Sequence, residues 1–134
     1  MVMAERAECA DSDGLVFVYG SLRRGRSNHG QMAGCQWQGN GELRGFALYD
    51  LGPFPMAVAC EESDCRLVGE VYAVTAEQLA HLDRFEGVPR LYERLERVLV
   101  DGRRVWLYVG RARQVRSVQR LPSGEWHGRG GPRD

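Results

Sequence analysis

The chain reads as a β-rich α+β domain built on a small mixed β-barrel, with one main helix and a short second one. Three observations predict this. Short apolar runs with branched and aromatic residues recur along the chain. A single well-capped helical segment lies between them, after Thr75. A late pair of apolar strands flanks an Asp-Gly turn at 101–102. At 134 residues the chain has the size of one domain and can bury a core.

The elements follow in order. Residues 1–13 carry four acids and one Arg, and read as a flexible acidic tail ahead of a single domain over 14–134. Leu15 to Tyr19 is a buried strand ended by Gly20. Gly20 to Gly30 is a glycine-punctuated loop, with a short helix expected from about Asn28. Residues 42–60 are strand-like but interrupted by Gly45, Gly52, Pro53 and Pro55. Val68 to Val74 alternates as a strand should. Thr75 with Gln78 three places on has the form of a capping box, so a helix should run from Ala76 to Phe85 and stop at Gly87 and Pro89. Tyr92 to Val100 and Arg103 to Val109 are the two hairpin strands, joined through a type I′ turn. Both are apolar on two faces, which implies cover on both sides or closure into the barrel.

Composition excludes several classes of function. Eighteen basic and eighteen acidic residues cancel, so the positive excess of a nucleic-acid binder is missing. Every basic residue is Arg, which removes chemistry that needs a lysine anchor. No apolar run approaches the ~18 residues of a membrane span, and the acidic start lacks a signal-peptide core, so a cytoplasmic protein without membrane contact is expected. Cys9, Cys35, Cys60 and Cys65 form no C-x-x-C pair and read as reduced thiols. His29, His81 and His127 complete no metal-ligand pattern; no metal and no cofactor are expected.

Two places can carry chemistry. A glycine directly after a buried strand, in Tyr19-Gly20-Ser21-Leu22, allows a sharp turn whose N–H groups point outward and bind an anion or oxyanion; the competing reading is a plain tight turn. On the helix after Thr75, at ~100° per residue, Glu86 falls within about 20° of Leu79 on the apolar face. Burial and the helix C-terminus would then raise its pKa toward the range of a general acid–base. The competing reading ends the helix earlier and turns Glu86 to solvent near Arg90. Residues 20–27 also match a phosphate-loop spacing with Arg26 in place of the lysine, but the strand–helix alternation of that fold is absent. The Arg cluster at 23, 24 and 26 reads as solvated surface, part of which would face an anionic group.

Val18-Tyr19-Gly20-Ser21-Leu22 with Arg23-Arg24-Gly25 and Asn28-His29 resembles the YGSL loop of the γ-glutamylcyclotransferase-like proteins, nearest to the γ-glutamylamine cyclotransferase branch and its small bacterial relatives. Gly52-Pro-Phe-Pro-Met56, Gly69-Glu-Val-Tyr72, the run from Leu82 through Glu86 to Arg94, and Ser123-Gly-Glu-Trp126 follow in that family's order, with Glu125 in place of the usual Asp. The resemblance spans about residues 15–127. It implies a small γ-glutamyl substrate cyclised to 5-oxoproline with release of an amine or amino acid. It further implies that Tyr19, Gly20, Ser21 and Leu22 bind the γ-glutamyl group, that Glu86 is the acid–base residue, and that Tyr92 lies nearby. A non-catalytic module that captures a small anion, and an enzyme that removes a γ-glutamyl protecting group in antibiotic biosynthesis, are the alternatives.

Overall fold

A computed structural model describes residues 13–127. The expected tail lies outside the described residues except for Asp13, which is anchored. Its N–H donates to the Val74 carbonyl at 2.7 Å, and its carboxylate accepts from the Ala76 N–H at 2.7 Å. Asp13 therefore belongs with the domain.

The fold is α+β with one main helix, as the sequence implies, but its strands form two sheets that do not close into a barrel. The first sheet has the order β2-β5-β1-β7-β6: β1 (Gly14–Val18), β2 (Gln36–Arg44), β5 (Arg66–Val74), β6 (Glu93–Val98) and β7 (Arg104–Val109). The second has the order β4-β3-β8, from β3 (Phe46–Asp50), β4 (Pro55–Ala59) and β8 (Arg120–Leu121). The lone residue between β2 and β3 is Gly45, where the chain leaves one sheet for the other. That change of sheet leaves β2 and β6 as open edges of the larger one. In the centre, β1 runs antiparallel to β5 and parallel to β7.

Strand alternation explains the two-faced apolar runs. Phe17 of β1 and Val105, Leu107 and Val109 of β7 enter a core shared with Phe46, Leu48 and Ala57 of the second sheet and with Trp126. Val16, Val18 and Tyr108 face the opposite side, where they meet Leu82, Tyr92 and Met32. The cover on that side comes from α1 (Ala76–Phe85) and a 3-10 turn, His29–Met32. The capping box forms as expected: the Thr75 side chain accepts from the Gln78 N–H, and the Gln78 side chain accepts from the Thr75 N–H. The edge strand β6 is half exposed, and Val98 at its end and Val100 beyond it are open to solvent, so two-sided cover holds for β7 and not for β6.

Two further expectations are corrected. The hairpin turn is not type I′, because Asp101 does not take a positive φ; only Gly102 does, at 97°. The Gly102 N–H closes on the Leu99 carbonyl, and the Leu99 N–H on that of Arg103, a three-residue turn ending in a left-handed glycine. Cys60 and Cys65 are joined as a disulfide rather than held as free thiols. The end of β4 and the start of β5 bring their Cα atoms to 6.3 Å, a proximity invisible in spacing alone. With Glu62 they form the one group of clustered ligand-type side chains among the described residues. Cys35 is free, and Cys9 lies outside the described residues.

Candidate active site

Where β1 ends, Tyr19, Gly20, Ser21 and Leu22 line a cavity of about 160 Å³. Glu86 and Tyr92 line it too, together with Asn28, Phe54, Pro55, Phe85, Leu91 and Tyr108. All six residues singled out in the sequence thus face one space. Each wall has its own construction.

On the loop wall the carbonyl groups are committed. The Gly20 carbonyl accepts from the Arg23 N–H at 3.1 Å and from Arg23 Nε at 3.3 Å. That of Ser21 accepts from the Asn28 N–H at 2.9 Å, and that of Leu22 lies 2.8 Å from His29 Nδ1. The N–H groups of Ser21 and Leu22 meet no acceptor among the described residues. A loop with tied carbonyls and open N–H groups is a local field suited to an anion or a developing oxyanion. Asn28 also donates to the Ser21 hydroxyl at 2.9 Å. Gly20 serves by its size and not by a left-handed φ: a Cβ there would meet the ring carbons of Pro55 at 2.7 Å.

The three arginines of this loop do not line the cavity. Arg23 is buried and donates to the Trp126 carbonyl, and desolvation lowers its pKa. Arg24 stacks 3.6 Å above the Trp37 ring. Arg26 donates to the His127 carbonyl at 2.6 Å. Their charge is spent on holding the loop, so the expectation of a solvated cluster fails for Arg23.

The opposite wall follows α1. Glu86 is the C-cap residue in helical conformation, its N–H bonded to the Leu82 carbonyl at 2.8 Å. The turn therefore continues far enough to keep its side chain on the face of buried Leu82 rather than swinging it to solvent. Burial pushes its carboxyl up from the ordinary 4.5 to about 7.

The tyrosines offer rings, with their hydroxyls already used. Tyr19 donates to the Tyr108 carbonyl at 2.5 Å and accepts from the Ala57 N–H at 3.1 Å, bridging β7 and β4. Tyr92 donates to the Pro55 carbonyl at 2.8 Å. Tyr108 donates to Asp83, which also pairs with Arg94 at 3.3 Å. Desolvation raises the pKa of all three, so each stays protonated at ordinary pH. Sequence reasoning missed Tyr108 as a lining residue. Its alternation opposite Val105, Leu107 and Val109 was the available signal.

Residues 16–128 match the family model described as γ-glutamyl cyclotransferase, AIG2-like. The chain belongs to this family. Similar proteins carry names from the same family. A Vibrio cholerae protein provisionally named a γ-glutamylcyclotransferase is 39% identical over 114 residues, covering 84% of this chain and 94% of its own. The human γ-glutamylaminecyclotransferase is 41% identical over 91 residues, covering 60% of this chain and 58% of the human one. The crystal structure of an AIG2-like protein from mouse superposes with a TM-score of 0.76 at 24% identity, covering 90% of this chain and 97% of the mouse one. The last likeness establishes the fold.

Proposed function

We propose that this chain converts a γ-glutamyl amine or γ-glutamyl amino acid to 5-oxoproline and the free amine. Family membership and the names of its relatives support cyclotransferase activity in general. The observation that carries the finer reading is one cavity with open N–H groups on one wall and a single carboxyl of raised pKa on the other.

The chemistry needs little more. The substrate's α-nitrogen attacks its own γ-carbonyl carbon, a five-membered ring closes, and the bond from that carbon to the amide nitrogen breaks. Protons lost by the α-nitrogen are gained by the leaving nitrogen. No electrons are exchanged and no water is consumed. A γ-glutamyl chain has many extended conformers, so holding it folded is the larger share of the task. The Ser21 and Leu22 N–H groups suit the α-carboxylate or the developing oxyanion. Glu86 takes a proton from the α-ammonium and delivers one to the departing amine, and a pKa near 7 serves both directions. Tyr19, Tyr92 and Tyr108 shape the cavity with their rings.

The test is a panel of γ-glutamyl compounds incubated with pure protein, with 5-oxoproline measured by mass spectrometry. Formation of 5-oxoproline that survives dialysis against a chelator is expected. Binding of γ-glutamyl compounds without any product would leave an anion-capturing module as the better description.

A further inference from the structure

Resting on the cyclotransferase reading, we infer that the leaving group this site accepts is an apolar amine, an alkylamine or arylalkylamine, rather than an amino acid or a polyamine. The cavity lining holds a polar set, the Ser21 and Leu22 backbone, Asn28 and Glu86, and an apolar set that includes Phe54, Phe85 and Leu91. Phe85 is 38% exposed and Leu91 42%, although both are large and apolar, which puts them at the mouth. A cavity of about 160 Å³ is close to one that holds a benzene-sized group, so a glutamyl head fills it. The departing nitrogen must then lie near Glu86, and whatever it carries leaves past the exposed Phe85 and Leu91.

Charge narrows the choice. Among the described residues no arginine lines the cavity, and Glu86 is the one charged group that does. Of the arginines nearby, Arg84 and Arg90 are exposed and stand outside the lining, and two others are engaged elsewhere. Arg94 lies 4.4 Å over the Trp106 ring and pairs with Asp83; Arg111 pairs with Glu93 at 2.7 Å and caps the Pro89 and Arg90 carbonyls. The carboxylate of a departing amino acid would find no cation on the wall. The distal ammonium of a polyamine would find only Glu86, which the glutamyl amine already uses. An apolar group instead covers Phe85 and Leu91 and removes their surface from water.

The experiment holds the head group constant. γ-Glutamyl-isopentylamine and γ-glutamyl-phenethylamine are compared with γ-glutamyl-alanine and γ-glutamyl-putrescine, and kcat/KM for 5-oxoproline release is measured for each. The apolar pair should lead by about ten- to hundredfold. In Leu91→Arg that ratio should fall at least about fivefold, chiefly through KM, with γ-glutamyl-alanine gaining; Phe85→Ala should narrow it in the same direction. Equal rates, a preference for the charged pair, or a ratio unmoved by both substitutions would overturn the inference and leave the cyclotransferase reading intact. No 5-oxoproline from any of the four would remove that reading and the inference with it.

Discussion

The two walls of the cavity are built on different principles. The loop wall presents backbone: its carbonyls are tied down by Arg23, Asn28 and His29, while the Ser21 and Leu22 N–H groups meet no acceptor among the described residues. The helix-end wall presents side chains: Glu86 is partly buried, and Phe85 and Leu91, which share that wall, are more open. Backbone tolerates most changes of side chain, whereas a wall of side chains is defined by their identity. Substitutions on the two walls should therefore fail in different ways.

The largest effect should come from the helix-end wall. Glu86→Gln keeps size and most hydrogen bonding but cannot exchange a proton at neutral pH. Turnover should drop on the order of 10²–10⁴-fold while the protein stays folded. In the wild type kcat/KM should rise through about pH 7 as Glu86 ionises. Stability moves the other way. Because the folded pKa lies above the ordinary 4.5, the folded chain holds a proton that the unfolded chain releases, and stability falls as pH climbs from 4.5 through 7. Melting of the two proteins at pH 4 and pH 8 should therefore match at the lower value and favour Gln at the higher, by on the order of 1–3 kcal/mol. A folded Gln variant with wild-type turnover would remove Glu86 from the mechanism.

On the loop wall the sensitive position is Gly20. An added Cβ runs into the rigid Pro55 ring. Gly20→Ala should cost about 1–3 kcal/mol in denaturant unfolding and raise KM more than it lowers kcat. A wild-type KM would show that the loop moves aside freely.

Tyr92→Phe sharpens the comparison, since it removes a hydroxyl and leaves a lining ring. The Pro55 carbonyl loses its donor, at a cost of about 1 kcal/mol. Turnover should stay within a few-fold of wild type. A loss comparable to that of Glu86→Gln would give the Tyr92 hydroxyl a chemical role.

The smallest effect concerns neither wall. A protein starting at Gly14 loses the Asp13 carboxylate that caps the Ala76 N–H, and one starting at Asp13 keeps it. The first should melt a few degrees below the second, with equal kcat. Identical melting would mean that this contact contributes nothing.

Local signals carried much of this architecture into the sequence. The capping box placed α1, and the run before Gly20 placed β1. Glu86 was legible because the helical period puts it on the face of Leu82, whichever partners complete that face. What was hidden depends on pairs far apart in the chain. Gly20 looked like a turn former because spacing marks a glycine without showing that Pro55 presses against it. The Tyr19 hydroxyl gave no hint of its bridge between β7 and β4. Arg23 read as surface because its acceptor, Trp126, lies 103 residues away. A comparably long separation, Val16 to Trp106, hid the parallel pairing of β1 with β7, and with it the separation into two sheets.

That bond from Arg23 to the far end of the domain also sets a clock. The loop carrying Ser21 and Leu22 is made 103 residues before the carbonyl that anchors it. At ~5–20 residues per second on a ribosome, the wait for those 103 residues is roughly 5–20 s. Through that interval β1 can pair with β5 once residue 74 has emerged, but the loop stands without its anchor. A nascent chain halted short of Trp126 should therefore display a formed strand and an unfinished ligand site, and the ability to hold substrate should arrive only once Trp126 has emerged.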